Sequence, residues 1–292
     1  MLLSDKIREI ESDRSSGASE IARNALGVLR FFVQTSESVS CSGFVDGFTD
    51  VGRRLFKARP NMAPVQNLVA QIVYEVNALE EQGLVFVQNF ALSRIDELCK
   101  QSRDAVTKSA AWAATLIADS GYVASCSYSS TVCETFRVAE QAGQRFRVVV
   151  AESRSEDGMF CYGKTLAAFL ESIDVPVEVF ADNEAYRYIP KTDCVLVGAD
   201  SILFDGSIIN GSPTYVVAVK AKENGIPFYS VCETSKANTL SFLGKKVESK
   251  KGFDVVPANL ITNIVTEKGI LDTKKIVDTM SENAKFFKVF NV

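Results

Sequence analysis

The stretch from Cys194 to Gly211 reads CVLVGADSILFDGSIING and decides which fold the chain adopts. Its first residues, Cys194–Val197, are apolar, and the run ends at Gly198. Two residues later stands a carboxylate, Asp200. A short continuous apolar run that ends in glycine is typical of a strand buried on both faces of a parallel sheet. The pattern therefore predicts an acidic side chain at the carboxyl end of a buried strand.

Four more apolar runs of this kind follow residue 121. They are YVASCS (122–127), RFRVVVAES (145–153), VPVEVFA (175–181) and IPFYSVCET (226–234). Between most of them lie segments suited to helices, namely TVCETFRVAEQAG, GKTLAAFLESI and PTYVVAVKAKENG. This alternation of strand and helix is that of parallel βαβ units. We therefore predict a Rossmann-like α/β domain over residues 119–292.

Residues 1–118 show helical patterns and no strand pattern. In EIARNALGVLRFFV (20–33) the apolar residues recur at helical spacing, and Ser19 is the predicted N-cap. The segment 93–121 repeats that spacing over several turns, long enough for a helix that bridges two domains. The predicted fold class is α/β: a helical N-terminal domain (1–118) followed by a parallel-sheet C-terminal domain.

Composition limits location and partners. The chain has 292 residues, of which 47% are hydrophobic and 23% charged, as in globular proteins. No apolar run reaches the roughly 20 residues of a membrane span, and the first residues lack a signal-peptide core. We therefore expect a cytoplasmic protein without membrane contact. The net charge of -4 argues against nucleic acid as a direct partner.

The residue inventory also limits the chemistry. The chain contains no histidine, which removes imidazole acid/base catalysis and the common metal motifs. Its seven cysteines are scattered without CxxC spacing, so we interpret them as reduced thiols rather than a zinc site. No GxGxxG or P-loop motif follows the first strand. We expect neither a metal nor a cofactor.

Polar residues gather at the predicted strand ends. Ligands of open parallel sheets bind outside the carboxyl ends of the strands. Besides Asp200, these ends carry Cys126-Ser127, Glu152-Ser153-Arg154 and Glu233-Thr234-Ser235-Lys236. Thiol, hydroxyl, acid and base are thus predicted to converge on one edge of the sheet. The alternative for Asp200 is a structural one, in which the carboxylate caps the turn that follows.

Several segments together resemble a known family. They are DRSSGASEIARNAL (13–26), KARPNMAPVQNLV (57–69), RFRVVVAESRS (145–155), VLVGADSILFDGSIIN (195–210), AKENGIPFYSVCETSK (221–236) and FDVVPANLITNIVTEKGIL (253–271). The family comprises ribose-1,5-bisphosphate isomerases, methylthioribose-1-phosphate isomerases, and the regulatory alpha, beta and delta subunits of eukaryotic translation initiation factor 2B. The resemblance covers nearly the whole chain.

The resemblance implies a dimer or higher oligomer, and in its isomerase branch a metal-independent aldose–ketose isomerisation. There a cysteine and an aspartate on neighbouring strand ends move protons between C1 and C2 of a phosphorylated sugar. Asp200 matches the aspartate. The cysteine position falls on Ser127, while Cys126 falls on a histidine position of the family. A serine hydroxyl barely ionises at neutral pH, and neighbouring strand residues point to opposite faces, so Cys126 needs a local shift to replace it.

The resemblance also implies contacts to phosphate. The residues concerned are Arg14, Arg59, Ser129, Ser130, Arg154, Asn210 and Lys236. The two serines precede a helix whose first amides suit an anion, but simple N-capping explains them equally well. For the charged residues the alternative is a solvated surface position. The family commonly continues Asn-Lys-Ile-Gly-Thr, whereas Gly211 follows Asn210, so one lysine contact is missing.

Two hypotheses result. In the first, the protein is an aldose–ketose isomerase resembling ribose-1,5-bisphosphate isomerase, with Asp200 as acid/base and the Cys126–Ser127 strand end completing the proton relay. In the second, it is a non-catalytic regulatory subunit that binds a sugar phosphate or nucleotide and a protein partner. The retained aspartate favours the first, and the lost thiol and lysine favour the second. Both predict a homodimer or higher homo-oligomer.

Overall fold

The N-terminal part of the chain is helical. A computed structural model of the protein describes residues 2–292, except for the side chains of residues 273 and 274. The helices of the first part are α1 (Leu3–Ser12), α2 (Ala18–Thr35), α3 (Cys41–Ala58), α4 (Ala63–Asn77) and α5 (Leu84–Ala114). Helix α2 begins one residue before Ser19, with Gly17 at the N-cap position. The prediction that Ser19 is the N-cap was therefore wrong.

Strands and helices alternate from residue 121 to residue 197, as predicted, and farther along the described chain there are two groups of three strands with no α-helix between the members of a group. The elements are β1 (Gly121–Cys126), α6 (Ser130–Gln141), β2 (Phe146–Ala151), α7 (Tyr162–Ser172), β3 (Val177–Phe180), α8 (Ala185–Tyr188), β4 (Cys194–Val197), β5 (Ser201–Ile202), β6 (Ile208–Gly211), α9 (Thr214–Glu223), β7 (Phe228–Val231), α10 (Thr239–Phe242), β8 (Phe253–Val256), β9 (Asn263–Thr266), β10 (Gly269–Leu271) and α11 (Val277–Phe287). None of the helices in the described residues has the length and apolar character needed to cross a membrane.

The main sheet has the order β10-β9-β7-β4-β1-β2-β3. All its pairs are parallel except β10 with β9. The chain moves outward from β1 through β2 to β3, then returns to the other side of β1 with β4. The direction of winding thus reverses between β1 and β4, and such a switch point opens a crevice at the carboxyl ends of the strands. The predicted fold class, a helical domain followed by a Rossmann-like parallel sheet, is confirmed.

The quoted stretch does more than form one buried strand. After Asp200 the chain folds back as β5 and β6, which pair in an antiparallel way, and β8 completes this second, three-stranded sheet. The turn closes with a 2.7 Å hydrogen bond from the Leu203 amide to the Ser207 carbonyl. Gly206 adopts φ +83° there, a conformation that suits glycine. The amide of Asp200 donates to the Ile209 carbonyl at 2.8 Å, which holds the acid against the fold-back.

The last helix returns to the helical core. Phe287 of α11 is fully buried among the side chains of α1–α5. Its ring lies 5.4 Å from that of Phe56 at an edge-on angle of 76°. A C-terminal residue thus contributes to the core of the helical part, while the boundary at residue 118 stays a prediction.

Truncation of Phe287 measures how strongly α11 secures the helical core. We expect Phe287→Ala to lower the free energy of unfolding by about 3–5 kcal/mol, because it removes a buried aromatic side chain and leaves a cavity. Urea unfolding of both proteins checks this. Glu282→Ala, on the exposed side of the same helix, is the control and should change stability by less than about 0.5 kcal/mol. Equal losses in the two variants would contradict the packing role.

Candidate functional site

A cavity of about 580 Å³ opens beside the switch point of the sheet. It lies between the α/β part and two segments of the helical part, the α1–α2 loop and the loop before α4. Of the residues predicted from the sequence, it is lined by Arg14, Arg59, Ser127, Arg154 and Asp200. The structure therefore brings these five side chains to one place. Tyr162 and Lys251, which the sequence analysis did not select, also line the cavity.

A smaller space adjoins the cavity and shares the Asp200 wall. We call it the inner pocket. It is lined by Gly17, Ala18, Tyr128, Ser129, Ser130, Thr131, Ala199, Asp200, Asn210 and Lys236. Its volume of about 10 Å³ has room for about one water molecule. The N-termini of two helices, α2 and α6, meet there, and exposed helix N-termini attract anions.

Asp200 stands where the two spaces meet. Its side chain is half-buried, and burial raises the pKa of this carboxyl to about 6, whereas Lys236 and Arg59 act in the opposite direction. Its backbone carbonyl accepts a 3.1 Å hydrogen bond from the Ala63 amide at the start of α4. A carboxyl with a pKa near 6 exchanges protons readily at neutral pH.

Lys236 is a buried cation in the inner pocket. Its side chain is only 5% exposed. The alternative interpretation, a solvated position on the surface, therefore does not apply to Lys236. Asn210 is also buried and donates a 3.0 Å hydrogen bond from Nδ2 to Thr214 Oγ1. An anion in this pocket would meet a buried ammonium and the first amides of α6, beginning at Ser130.

Two glycines of the quoted stretch allow the end of β1 to approach. A Cβ atom on Gly198 would lie 2.6 Å from Ser129 Oγ, and one on Gly211 would lie 2.7 Å from Ser127 Oγ. Both distances are too short for real Cβ contacts, so only glycine fits without a shift. Ser129 also caps α6, because its Oγ accepts the Val132 amide at 3.4 Å. Ser129 therefore both caps α6 and lines the inner pocket.

Ser127 reaches the cavity through an unusual backbone conformation. Its φ of +62° lies in the left-handed region, which a non-glycine residue adopts at some cost. Its amide donates to Ser153 Oγ at 2.6 Å. Ser153 has φ +51°, and its own amide donates to Asp182 at 2.7 Å. Hydrogen bonds between neighbouring strand ends thus hold Ser127 in place.

Cys126 is not brought to the cavity. Its side chain is 2% exposed and packs in the apolar core on one face of the sheet. Its Sγ lies 3.3 Å from Thr214 Oγ1, and burial raises the pKa of the thiol to about 12. Adjacent strand residues point to opposite faces, and the chain does not shift to reverse them. We therefore leave Cys126 out of the proton relay expected from the sequence.

The two N-terminal arginines are engaged in different ways. Arg59 donates from Nε to the Ile10 carbonyl at 2.7 Å and from its guanidinium to the Asp13 carbonyl, which orders the α1–α2 loop. Burial lowers the pKa of Arg59 from its ordinary value. Arg14 pairs with Asp157 at 2.7 Å, across the cavity mouth. Both segments therefore border the cavity.

Arg154 lies at the outer rim. Its guanidinium is exposed and pairs with Glu152 at 3.0 Å. Its backbone amide donates to Asp182 at 3.0 Å. An exposed arginine already paired with a carboxylate contributes less to anion binding than a buried one. Of the predicted phosphate contacts, Arg154 is thus the least enclosed.

The comparisons with known proteins identify a family. The model of the Initiation factor 2 subunit family matches residues 14–252. That range includes β1, β4, the whole lining of the inner pocket, and the lining of the cavity except for Asp13 and Phe253. The chain therefore belongs to the Initiation factor 2 subunit family.

Individual relatives carry two kinds of name. A translation initiation factor eIF-2B subunit 2-like protein of Pyrococcus furiosus is 27% identical over 279 residues, covering 91% of this chain and 94% of the relative. A ribose 1,5-bisphosphate isomerase of Haloferax volcanii is 27% identical over 297 residues, covering 94% and 90%. The crystal structure of the Pyrococcus horikoshii translation initiation factor eIF-2B superposes with a TM-score of 0.80 at 25% identity, covering 94% and 98%.

The pKa of Asp200 predicts a pH-dependent cost to stability. The folded-state pKa, about 6, lies above the ordinary 3.8. The native state is therefore penalised where this carboxyl is ionised, above about pH 6, and the penalty fades as the pH falls toward 4. We expect Asp200→Asn to raise the free energy of unfolding at pH 8 by on the order of 1–3 kcal/mol, with no gain near pH 4.

Urea unfolding at the two pH values checks this expectation. The control is Asp46→Asn, on the exposed face of α3, which should alter stability little at either pH. A gain for Asp200→Asn that is the same at both pH values would contradict the assigned pKa.

Proposed function

We propose that this chain is an aldose–ketose isomerase that acts on a phosphorylated sugar bound in the 580 Å³ cavity. The observation that carries the proposal is the Asp200 carboxyl, whose pKa of about 6 suits both giving and taking a proton. This carboxyl faces a cavity that is also lined by the cationic side chains of Arg14, Arg59 and Arg154. The volume lies within the roughly 300–1,000 Å³ of small-molecule sites.

Phosphate binding is supported by charge and by helix geometry. Arg14, Arg59 and Arg154 line the cavity, and Lys236 lines the inner pocket behind Asp200. Guanidinium groups match phosphate oxygens in a bidentate manner. A sugar phosphate that spans from the arginines toward Lys236 would place its carbon atoms beside Asp200. A phosphate group of the ligand would then meet Lys236 in the inner pocket.

The reaction balances with one carboxyl. For a furanose 1-phosphate, the bond between C1 and the ring oxygen breaks, and its electron pair stays on the oxygen. The hydrogen on C2 then moves to C1 with its bonding electron pair, as a hydride, and the hydroxyl on C2 becomes a carbonyl. C2 is oxidised and C1 is reduced, so no outside electron acceptor is needed. Protonated Asp200 gives its proton to the ring oxygen, and the carboxylate then takes the proton of the C2 hydroxyl. The Asp200 carboxyl is therefore protonated again at the end of the reaction.

Ser127 supports this chemistry in a limited way. Its hydroxyl is at the strand end next to that of Asp200 and lines the same cavity. A hydroxyl accepts and donates hydrogen bonds, but its high pKa prevents it from removing a proton bound to carbon. We therefore assign Ser127 to hold a substrate hydroxyl and Asp200 to exchange protons. The relative named ribose 1,5-bisphosphate isomerase supports a pentose phosphate as the substrate class.

A second function is favoured by one specific observation. No thiol lines the cavity among the described residues, because Cys126 points into the core. A site that binds a sugar phosphate or a nucleotide without turning it over would need no such group. In that case the chain acts as a regulatory subunit, and its relatives named as eIF-2B-like support that alternative.

The turnover test separates the two functions. Ribose 1,5-bisphosphate and 5-methylthioribose 1-phosphate are supplied in turn, and ketose formation is followed by NMR. We expect turnover that falls by about 10²-fold or more in Asp200→Asn, because a general acid/base is removed, and that is unchanged in Asp46→Asn. Calorimetric binding of either sugar without ketose formation would favour the regulatory function instead.

The pH profile tests the role of Asp200 independently. The reaction begins from the protonated carboxyl, so kcat/KM should be level below about pH 6 and fall up to tenfold per pH unit above it. Phosphate esters also ionise near about pH 6, so ligand affinity measured over the same range serves as the control. A kcat/KM that rises through pH 6 would rule out this order of proton transfer.

The assembly state is part of the proposal. As the resemblance implies, we propose that the chain forms a homodimer or a higher homo-oligomer. Light scattering during size-exclusion chromatography measures its mass directly, and a monomeric mass at micromolar concentration would contradict the proposal.

A further inference from the structure

Glu233 is a buried carboxylate that the chemistry above does not use. It follows β7 and is 1% exposed. Its Oε2 accepts a hydrogen bond from Ser19 Oγ, and its Oε1 accepts one from Thr131 Oγ1, each at 2.5 Å. Both carboxylate oxygens are thus occupied by hydroxyl donors. A buried charge with good partners is costly to disturb, because removing one partner leaves the other unsatisfied.

The two donors come from different parts of the molecule. Ser19 is the second residue of α2, in the helical part, and Thr131 is the second residue of α6, in the α/β part. The Glu233 carbonyl also accepts the Lys236 amide at 2.9 Å, which forms the turn that carries the buried lysine. One residue therefore joins three walls of the inner pocket: the start of α2, the start of α6 and the Lys236 turn.

Glu233 does not itself line the inner pocket. It lies behind the walls, where its negative charge is stabilised by the N-terminal ends of both helix dipoles. The first residues of the same two helices, from Gly17 and from Ser129, face the pocket. An anion in the pocket and Glu233 would therefore act on the same two helix starts.

We propose that Glu233 is a positioning residue that sets the separation of α2 and α6 at the inner pocket and so couples docking of the helical part to anion binding there. The coupling to ligand rests on the proposed function, because it requires a phosphate group in this pocket. The positioning role rests on the hydrogen bonds alone. The pocket has room for about one water molecule, so a phosphate group must move its walls, and Glu233 limits how far.

A merely structural carboxylate would behave differently. Its loss would lower the stability of the chain but leave the anion affinity of the remaining folded protein unchanged. A positioning residue changes that affinity, because the amides of α2 and α6 no longer converge on one point. The two cases are therefore separated by measuring binding and local opening, not stability alone.

The test uses Glu233→Gln, which keeps the shape and one good acceptor but removes the charge. The control is Glu267→Gln. Glu267 accepts the Thr234 amide at 2.9 Å and the Thr234 hydroxyl, so it holds the same turn. Among the described residues, Glu267 makes these hydrogen bonds with Thr234 and makes none with α2 or α6. Hydrogen–deuterium exchange reports the opening of residues 18–21 and 131–134, and calorimetry measures the affinity for inorganic phosphate.

We expect Glu233→Gln to speed exchange in both helix starts by at least about tenfold and to weaken phosphate binding by at least about tenfold. In Glu267→Gln exchange in both helix starts should stay within about twofold of the unsubstituted protein, and in Asp46→Asn, on the exposed face of α3, phosphate affinity should do so too. Faster exchange in only one helix, or in neither, would overturn the positioning role. Faster exchange in both helices with unchanged phosphate affinity would overturn the coupling.

Two further variants keep the proposal testable if Glu233→Gln folds poorly. Ser19→Ala and Thr131→Ala each remove one hydrogen bond and leave the carboxylate in place. Each should open both helix starts, and a response confined to the substituted helix would overturn the positioning role. If the unsubstituted protein binds no phosphate, the proposed function and the coupling to ligand both fail. The exchange data would still decide whether Glu233 positions the two helices.

Discussion

The site depends on the docking of α4 against the chain that follows β4, where the Ala63 amide donates a hydrogen bond to the Asp200 carbonyl. The first amides of a helix have no partner within the helix and must find one elsewhere. For α4 the partner is the chain that follows β4. The Ser201 hydroxyl also accepts the Ala63 amide at 3.2 Å, and it donates to the Asn61 carbonyl at 2.8 Å. The segment that carries Arg59 is thereby fixed beside the acid.

This contact also explains the balance of charges around Asp200. Desolvation favours the neutral carboxyl, while the nearby Lys236 and Arg59 favour the carboxylate, and desolvation has the larger effect. If α4 began elsewhere, water would reach the acid and its pKa would fall toward the ordinary value. The docking of the helical part is therefore part of the acid's chemistry, since it controls both the solvent and the cations that surround the group.

Much of this arrangement could be predicted from the sequence. The features that could not be predicted have physical causes outside the local sequence. Strands buried on both faces leave apolar runs such as Cys194–Val197, and the ends of parallel strands meet at one edge, which places Asp200 and Ser127 together. The orientation of Cys126 follows from the alternation of side chains along a strand. Arg14 and Arg59 came from the family resemblance, because no local pattern links them to the sheet.

Other features of the site produce no pattern in the local sequence. The contact between Ser19 and Glu233 spans 214 positions, and Ser19 is equally suited to the N-cap role that the structure gives to Gly17. The left-handed backbone of Ser127 depends on the hydroxyl of Ser153 rather than on its own residue type. Long-range hydrogen bonds of this kind are decided by tertiary packing, which propensity and periodicity do not record.

The return of α11 to the helical core has a consequence for biosynthesis. Domains usually fold in order as they leave the ribosome, the N-terminal one first. Here Phe287 completes a hydrophobic core whose other buried members precede residue 99. A nascent chain therefore keeps α1–α5 in an unfinished state, with an apolar surface uncovered, until Phe287 has left the ribosome. The helical part is finished last although it is synthesised first.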